Sequence, residues 1–143
     1  MLYWQNNKFK ITKTYVFNSS NYAAKVFYSI NNLTKSSLNT RFYGQFNQTK
    51  QVHKKSLFSS YTSFIGAVLS TKQNHYQKQA FKEIAKNPVN IHSFGGWAAM
   101  IQHYFVTAWV PNQKDNNQFY TQSSEGTNPV YSAGVACPDV IIK

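Results

Sequence analysis

The stretch Phe94-Gly95-Gly96-Trp97-Ala98-Ala99-Met100-Ile101-Gln102-His103-Tyr104-Phe105-Val106-Thr107-Ala108-Trp109-Val110-Pro111 decides the fold class. It is the most apolar part of the chain, and both helix and strand are open to it. Its Trp, Phe, Tyr and Val content is bulky and β-branched, which favours strand. As one strand from Trp97 to Val110, it puts Trp97, Ala99, Ile101, His103, Phe105, Thr107 and Trp109 on one face. Ala98, Met100, Gln102, Tyr104, Val106, Ala108 and Val110 take the other. Both faces are largely apolar, as expected of a strand buried between two layers. Gly95-Gly96 reads as a start of strand with unusual backbone angles, a better account than a phosphate cradle, since no Walker or dinucleotide pattern accompanies it.

Working outward, the period-two pattern recurs. Tyr22 to Ile30 aligns Ala24, Val26, Tyr28 and Ile30, and Arg41 to Thr49 aligns Phe42, Gly44 and Phe46. Each reads as a half-buried strand. The polar run Asn31 to Ser37 between them predicts an antiparallel hairpin. Lys8 to Phe17 is an earlier strand, turned by Asn18-Ser19-Ser20-Asn21. Within Ser56 to Thr71, Phe64 to Leu69 suits a strand, with Gly66 marking a bulge or a close backbone approach. His75 to Lys86 is the one helical stretch, aligning Tyr76, Ala80, Phe81, Ile84 and Ala85 and ended by Asn87-Pro88, and it is expected on a sheet edge. After Pro111, Asn112 to Asn117 forms a polar loop. Gln118 to Gln122 and Pro129 to Val135 complete the strands. The reading is an antiparallel, mostly β domain of the sandwich type.

Composition bounds function. The chain has 143 residues, 42% hydrophobic and 17% aromatic, enough for a core and unlike a disordered chain. One Cys closes no internal disulfide and excludes Cys-rich zinc folds. The net charge is +11, from 15 Lys+Arg against 4 Asp+Glu. The Lys are spread from Lys8 to Lys143 with Lys54-Lys55 the sole adjacent pair, and Lys, Asn, Tyr, Phe and Ile are the residues of A/T-rich codons. Coding bias therefore explains the charge better than a nucleic-acid footprint, which clusters its cations. No signal peptide and no run of about 20 apolar residues is visible.

Catalytic signals are absent. His53, His75, His92 and His103 lack the spacing that pairs ligands on a helix face. Within its apolar strand, His103 reads as a core or interface residue. Glu83, Asp115, Glu125 and Asp139 are scattered and read as surface charge. Cys137 has no cationic neighbour in sequence and reads as inert. The sequons at Asn18, Asn32 and Asn47 are expected by chance in so Asn-rich a chain. No catalytic, cofactor-binding or metal-binding residue is assigned, and no cofactor is expected.

The run from Phe94 to Pro111 resembles the GGWxAMxQxYFxTAWxP segment in the large periplasmic domain of the YidC family of bacterial membrane protein insertases. Flanking positions agree. Phe64-Ile65-Gly66-Ala67, then Tyr76, Lys78, Phe81 and Ile84, are similar to the family's F-x-G-A and Y-x-K-x-x-F-x-x-I spacing. Thr12 to Phe17 with Tyr22, Ala23 and Val26, and Phe119-Tyr120-Thr121, also fit, so the resemblance covers nearly the whole chain. It implies a β-supersandwich, galactose-mutarotase-like, with one or two short helices, residues 1–143 being a partial periplasmic domain. It further implies a non-enzymatic role beside an insertase at the periplasmic side of the cell inner membrane. The implied partners are the Sec translocon with its accessory subunits, and nascent membrane proteins through a membrane core that this chain does not contain. That core's essential Arg is not Arg41, which falls on a sheet. Strands outside the chain would leave open sheet edges, so low stability in isolation is expected. The runner-up expectation is a carbohydrate-binding or carbohydrate-active sandwich, which for catalysis needs Glu83 or Glu125 beside His92 or His103 in a Trp-lined groove.

Overall fold

A computed structural model describes residues 1–49, 64–102 and 104–143. In chain order the elements are β1 (Leu2–Gln5), β2 (Phe9–Phe17), β3 (Ala24–Asn32), β4 (Leu38–Thr40), β5 (Tyr43–Thr49), β6 (Ile65–Ser70), β7 (Gln77–Ala80), α1 (Phe81–Lys86), β8 (Asn90–Phe94), β9 (Trp97–Gln102), β10 (Phe105–Trp109), β11 (Asn116–Ser123), β12 (Val130–Ala136) and β13 (Val140–Ile142). Antiparallel strand dominates, with one short helix among the described residues, as the patterning predicts. The chain divides into two units, residues 41–138 and residues 1–40 with 139–143.

The larger unit is the sandwich. One sheet has the order β10-β9-β6-β7 and the other β5-β12-β11-β8. Alternation sets their inward faces. Ala67, Met100, Phe81, Ile84, Tyr131 and Ala133 form one buried cluster, and Leu69, Ala98, Phe119 and Val135 another. Phe81 stacks on Tyr131 with centroids 4.4 Å apart. At about 25 cal/mol per Å² of apolar surface, the Leu, Ile, Val, Met and Phe side chains of these clusters each contribute about 1.5–3 kcal/mol. Val68 and Ala99 point the other way and are also fully buried. The centre of β6 and β9 is thus covered on both faces, as expected for this stretch.

Beyond β9 the single-strand reading is corrected. The chain turns after Gln102 and returns as β10, with Phe105 opposite Gln102 and Trp109 opposite Ala98. The reversal puts Trp109 on the Ala98 and Met100 face, opposite to Trp97. In β10, Phe105, Val106, Thr107 and Ala108 are exposed. The loop between Gln102 and Phe105 has neither Gly nor Asn, the usual mark of a tight hairpin, which is why the sequence hides it. Trp109 instead closes the sandwich beside β5, packing 5.8 Å from both Phe42 and Phe46.

The expected hairpin between Tyr22 to Ile30 and Arg41 to Thr49 does not form. β3 pairs with β2, and β5 pairs with β12, Phe46 opposite Ala133. The expected helix from His75 is shortened to α1, because Gln77–Ala80 pairs with β6 as an edge strand. The Gln79 side chain holds this choice. Its Nε2 donates to the Asn87 carbonyl at 2.9 Å, and Thr121 Oγ1 donates to its Oε1 at 2.6 Å. Ala80 N donates to the Glu83 carboxylate at 2.8 Å, which starts α1. α1 leaves the edge strand and turns Phe81 and Ile84 into the core. Gly66 is a close approach, since an added Cβ would meet the Gln79 carbonyl. The polar loop after Pro111 ends earlier than expected, because β11 begins at Asn116. Asn117 is fully buried and donates from Nδ2 to the Asn112 and Asp115 carbonyls at 2.9 and 3.0 Å. Residues Ser56 to Ser63, Lys54-Lys55, His53 and His103 lie outside the described residues.

The smaller unit holds a three-stranded sheet, β1-β2-β3, and the pair β4-β13. Asn18 makes the β2–β3 turn, its Oδ1 accepting from Ser20 N at 2.9 Å and Oγ at 2.7 Å. Asn6 does the same between β1 and β2, accepting from Lys8 N and Phe9 N, both at 2.8 Å.

Candidate interaction surfaces

The signature glycines serve structure. Gly95 and Gly96 have φ of 71° and 96°, in the left-handed region, and a Cβ on Gly96 would strike the Ser70 carbonyl. Gln113 bridges this turn. Its Oε1 accepts from Gly96 N at 2.9 Å, while its Nε2 donates to the Gly96 carbonyl at 3.0 Å and the Pro111 carbonyl at 2.7 Å. Burial and then the nearby Asp115 raise the Cys137 thiol pKa, which favours the protonated thiol at neutral pH.

The carboxylates do not gather. Glu83 is engaged with the start of α1. Glu125 follows β11, in which Gln118 lies opposite His92. Five residues of strand separate Gln118 from the end of β11 at Ser123, about 17 Å. His75 and His92 are exposed. Among the described residues, no three His, Cys, Asp or Glu side chains lie together as a metal set.

Two surfaces group polar or aromatic side chains. The first is the outward face of β5-β12-β11-β8, on which Gly134 pairs with Gln45 and Tyr120, Ser132 with Asn47 and Gln122, and Ala136 with Tyr43 and Gln118. Small side chains on β12 let the flanking amides meet across it. Tyr120 lies over Gly134, where a Cβ would come within 2.6 Å of its ring, and donates to Gln45 Oε1 at 2.9 Å. Gln45 Nε2 and Ser132 Oγ both donate to Asn47 Oδ1, at 2.7 and 2.8 Å. Arg41 donates to Gln118 Oε1 at 3.3 Å, and Gln118 Nε2 to Asn90 Oδ1 at 2.8 Å. Burial, then Tyr43, raises the Tyr120 pKa. This is a hydrogen-bonding face of amides and tyrosines, with His92 opposite Gln118 and the Arg41 guanidinium donating to Gln118. The paired rows of this face contain no carboxylate, and Trp97 and Trp109 sit elsewhere, Trp97 against Tyr76 at 6.3 Å. Glu125 and His92 are thus not brought together by β11, and His103, the other expected partner, lies outside the described residues.

The second surface belongs to the smaller unit. Register places Leu2, Trp4, Ile11, Lys13, Tyr15, Phe17, Val26, Tyr28 and Ile30 on one face of β1-β2-β3. Leu2, Trp4 and Phe17 are 63%, 53% and 76% exposed. Lys13 stands among the rings, 5.0 Å from the Tyr15 centroid and 5.2 Å from Tyr28. Hydrogen bonding to Tyr15, then Tyr28, raises its pKa and keeps it cationic. Sequence reading found β2 and β3 but not β1. The alternation of Leu2 and Trp4 was the available signal, too short to stand alone.

A family model described as YidC periplasmic domain matches residues 1–143. The chain is 39% identical over 142 residues to a protein named Membrane protein insertase YidC from Nitrosococcus oceani, covering 99% of this chain and 25% of that protein. Proteins of the same name from Shewanella sp. strain ANA-3 and Shewanella baltica strain OS155 are 35% and 36% identical over 126 residues, covering 88% of this chain and 23% of theirs. The chain spans about a quarter of the length of these curated relatives.

Proposed function

The chain belongs to the YidC periplasmic-domain family, and from that premise we propose that it serves as a non-enzymatic periplasmic scaffold of a membrane protein insertase. In this role it works at the periplasmic side of the inner membrane. It contacts the Sec translocon and its accessory subunits, while nascent membrane proteins are handled by the membrane core. The match over the whole chain at 39% identity carries the reading. The signature positions fit it, because Gly96, Ala98, Met100 and Trp109 are engaged in turn and core packing. No helix among the described residues is long and apolar enough to cross a membrane. Insertion chemistry is therefore attributed to other parts of the insertase.

The test is a chimaera in which this chain replaces the matching segment of the Nitrosococcus relative, expressed in cells depleted of their own insertase. Growth and insertion of a reporter membrane protein are expected. A chimaera that reaches the membrane intact and inserts nothing contradicts the proposal.

The amide and tyrosine face around Tyr120 favours a second reading, binding of neutral carbohydrate. Titration with neutral oligosaccharides followed by Tyr43 and Tyr120 ring resonances tests it. Unchanged resonances at high sugar concentration rule it out.

A further inference from the structure

We draw no further inference here: the strongest candidate, the side-chain cluster of Lys78 with Phe64, Tyr76 and Trp97 beside β7 and β9, in which the Lys78 ammonium lies 5.2 Å from the Phe64 ring and 5.4 Å from the Tyr76 ring, carries nothing, because nothing in the structure shows what covers it.

Discussion

The two sheets β6-β9 and β2-β3 are written in the same alphabet of alternating apolar and polar residues, yet they end differently. In the first, Ala67, Leu69 and Ala98 are fully buried against the facing sheet. In the second, Val26 and Ile30 on the equivalent alternation are only half-buried, and Phe17 stands 76% exposed. Alternation therefore identifies a face but not its cover. The cover depends on a second layer, and among the described residues, 41–138 contain two facing sheets.

That contrast is sharpened most by matched truncations. Phe119→Ala empties a fully buried site and should cost about 3–5 kcal/mol in urea unfolding. The same change at Phe17 should stay within about 0.5 kcal/mol. Equal losses at the two positions would erase the distinction between the regions. Gly44→Ala comes next. The new Cβ would lie 2.6 Å from the Trp109 ring, so Trp109 must move, at a cost of about 1–3 kcal/mol and with a shift in tryptophan emission. A variant with wild-type stability and emission would show that Trp109 does not seal the β5 and β10 edges.

Gln79→Ala tests the polar bracket under α1. It leaves Thr121 Oγ1 and the Asn87 carbonyl without these partners and should cost about 1–2 kcal/mol. The smallest effect is chemical. Because burial raises its pKa, Cys137 should react slowly with a maleimide at pH 8 in the native chain and rapidly in urea. Equal rates would mean that this end of the sandwich is open.

Much of this architecture was legible in the sequence. Lys8 to Phe17, Tyr22 to Ile30, Phe64 to Leu69 and Pro129 to Val135 carry enough β-branched and aromatic alternation to be read as strands. What was hidden is partner choice. Nothing local tells β5 that its neighbour is β12, more than 80 residues away, because such a pairing is set by both strands fitting one core. Helical spacing over His75 to Ala80 yielded to ladder pairing for the same tertiary reason. The short strands β1, β4, β8 and β13 hold too few residues for a period to show. At the surfaces, residue types were readable and their grouping was not. Tyr120, Gln45 and Asn47 meet only because β12 carries small residues between them, and Lys13 meets Tyr28 only through the β2–β3 register.

Hydrogen exchange of the full chain, read by mass spectrometry, tests the central contrast most directly. The account predicts the slowest amides in β6, β9, β11 and β12, and faster exchange across β1, β2 and β3, whose residues are exposed or half-buried. Equally slow exchange in β1–β3 would contradict it.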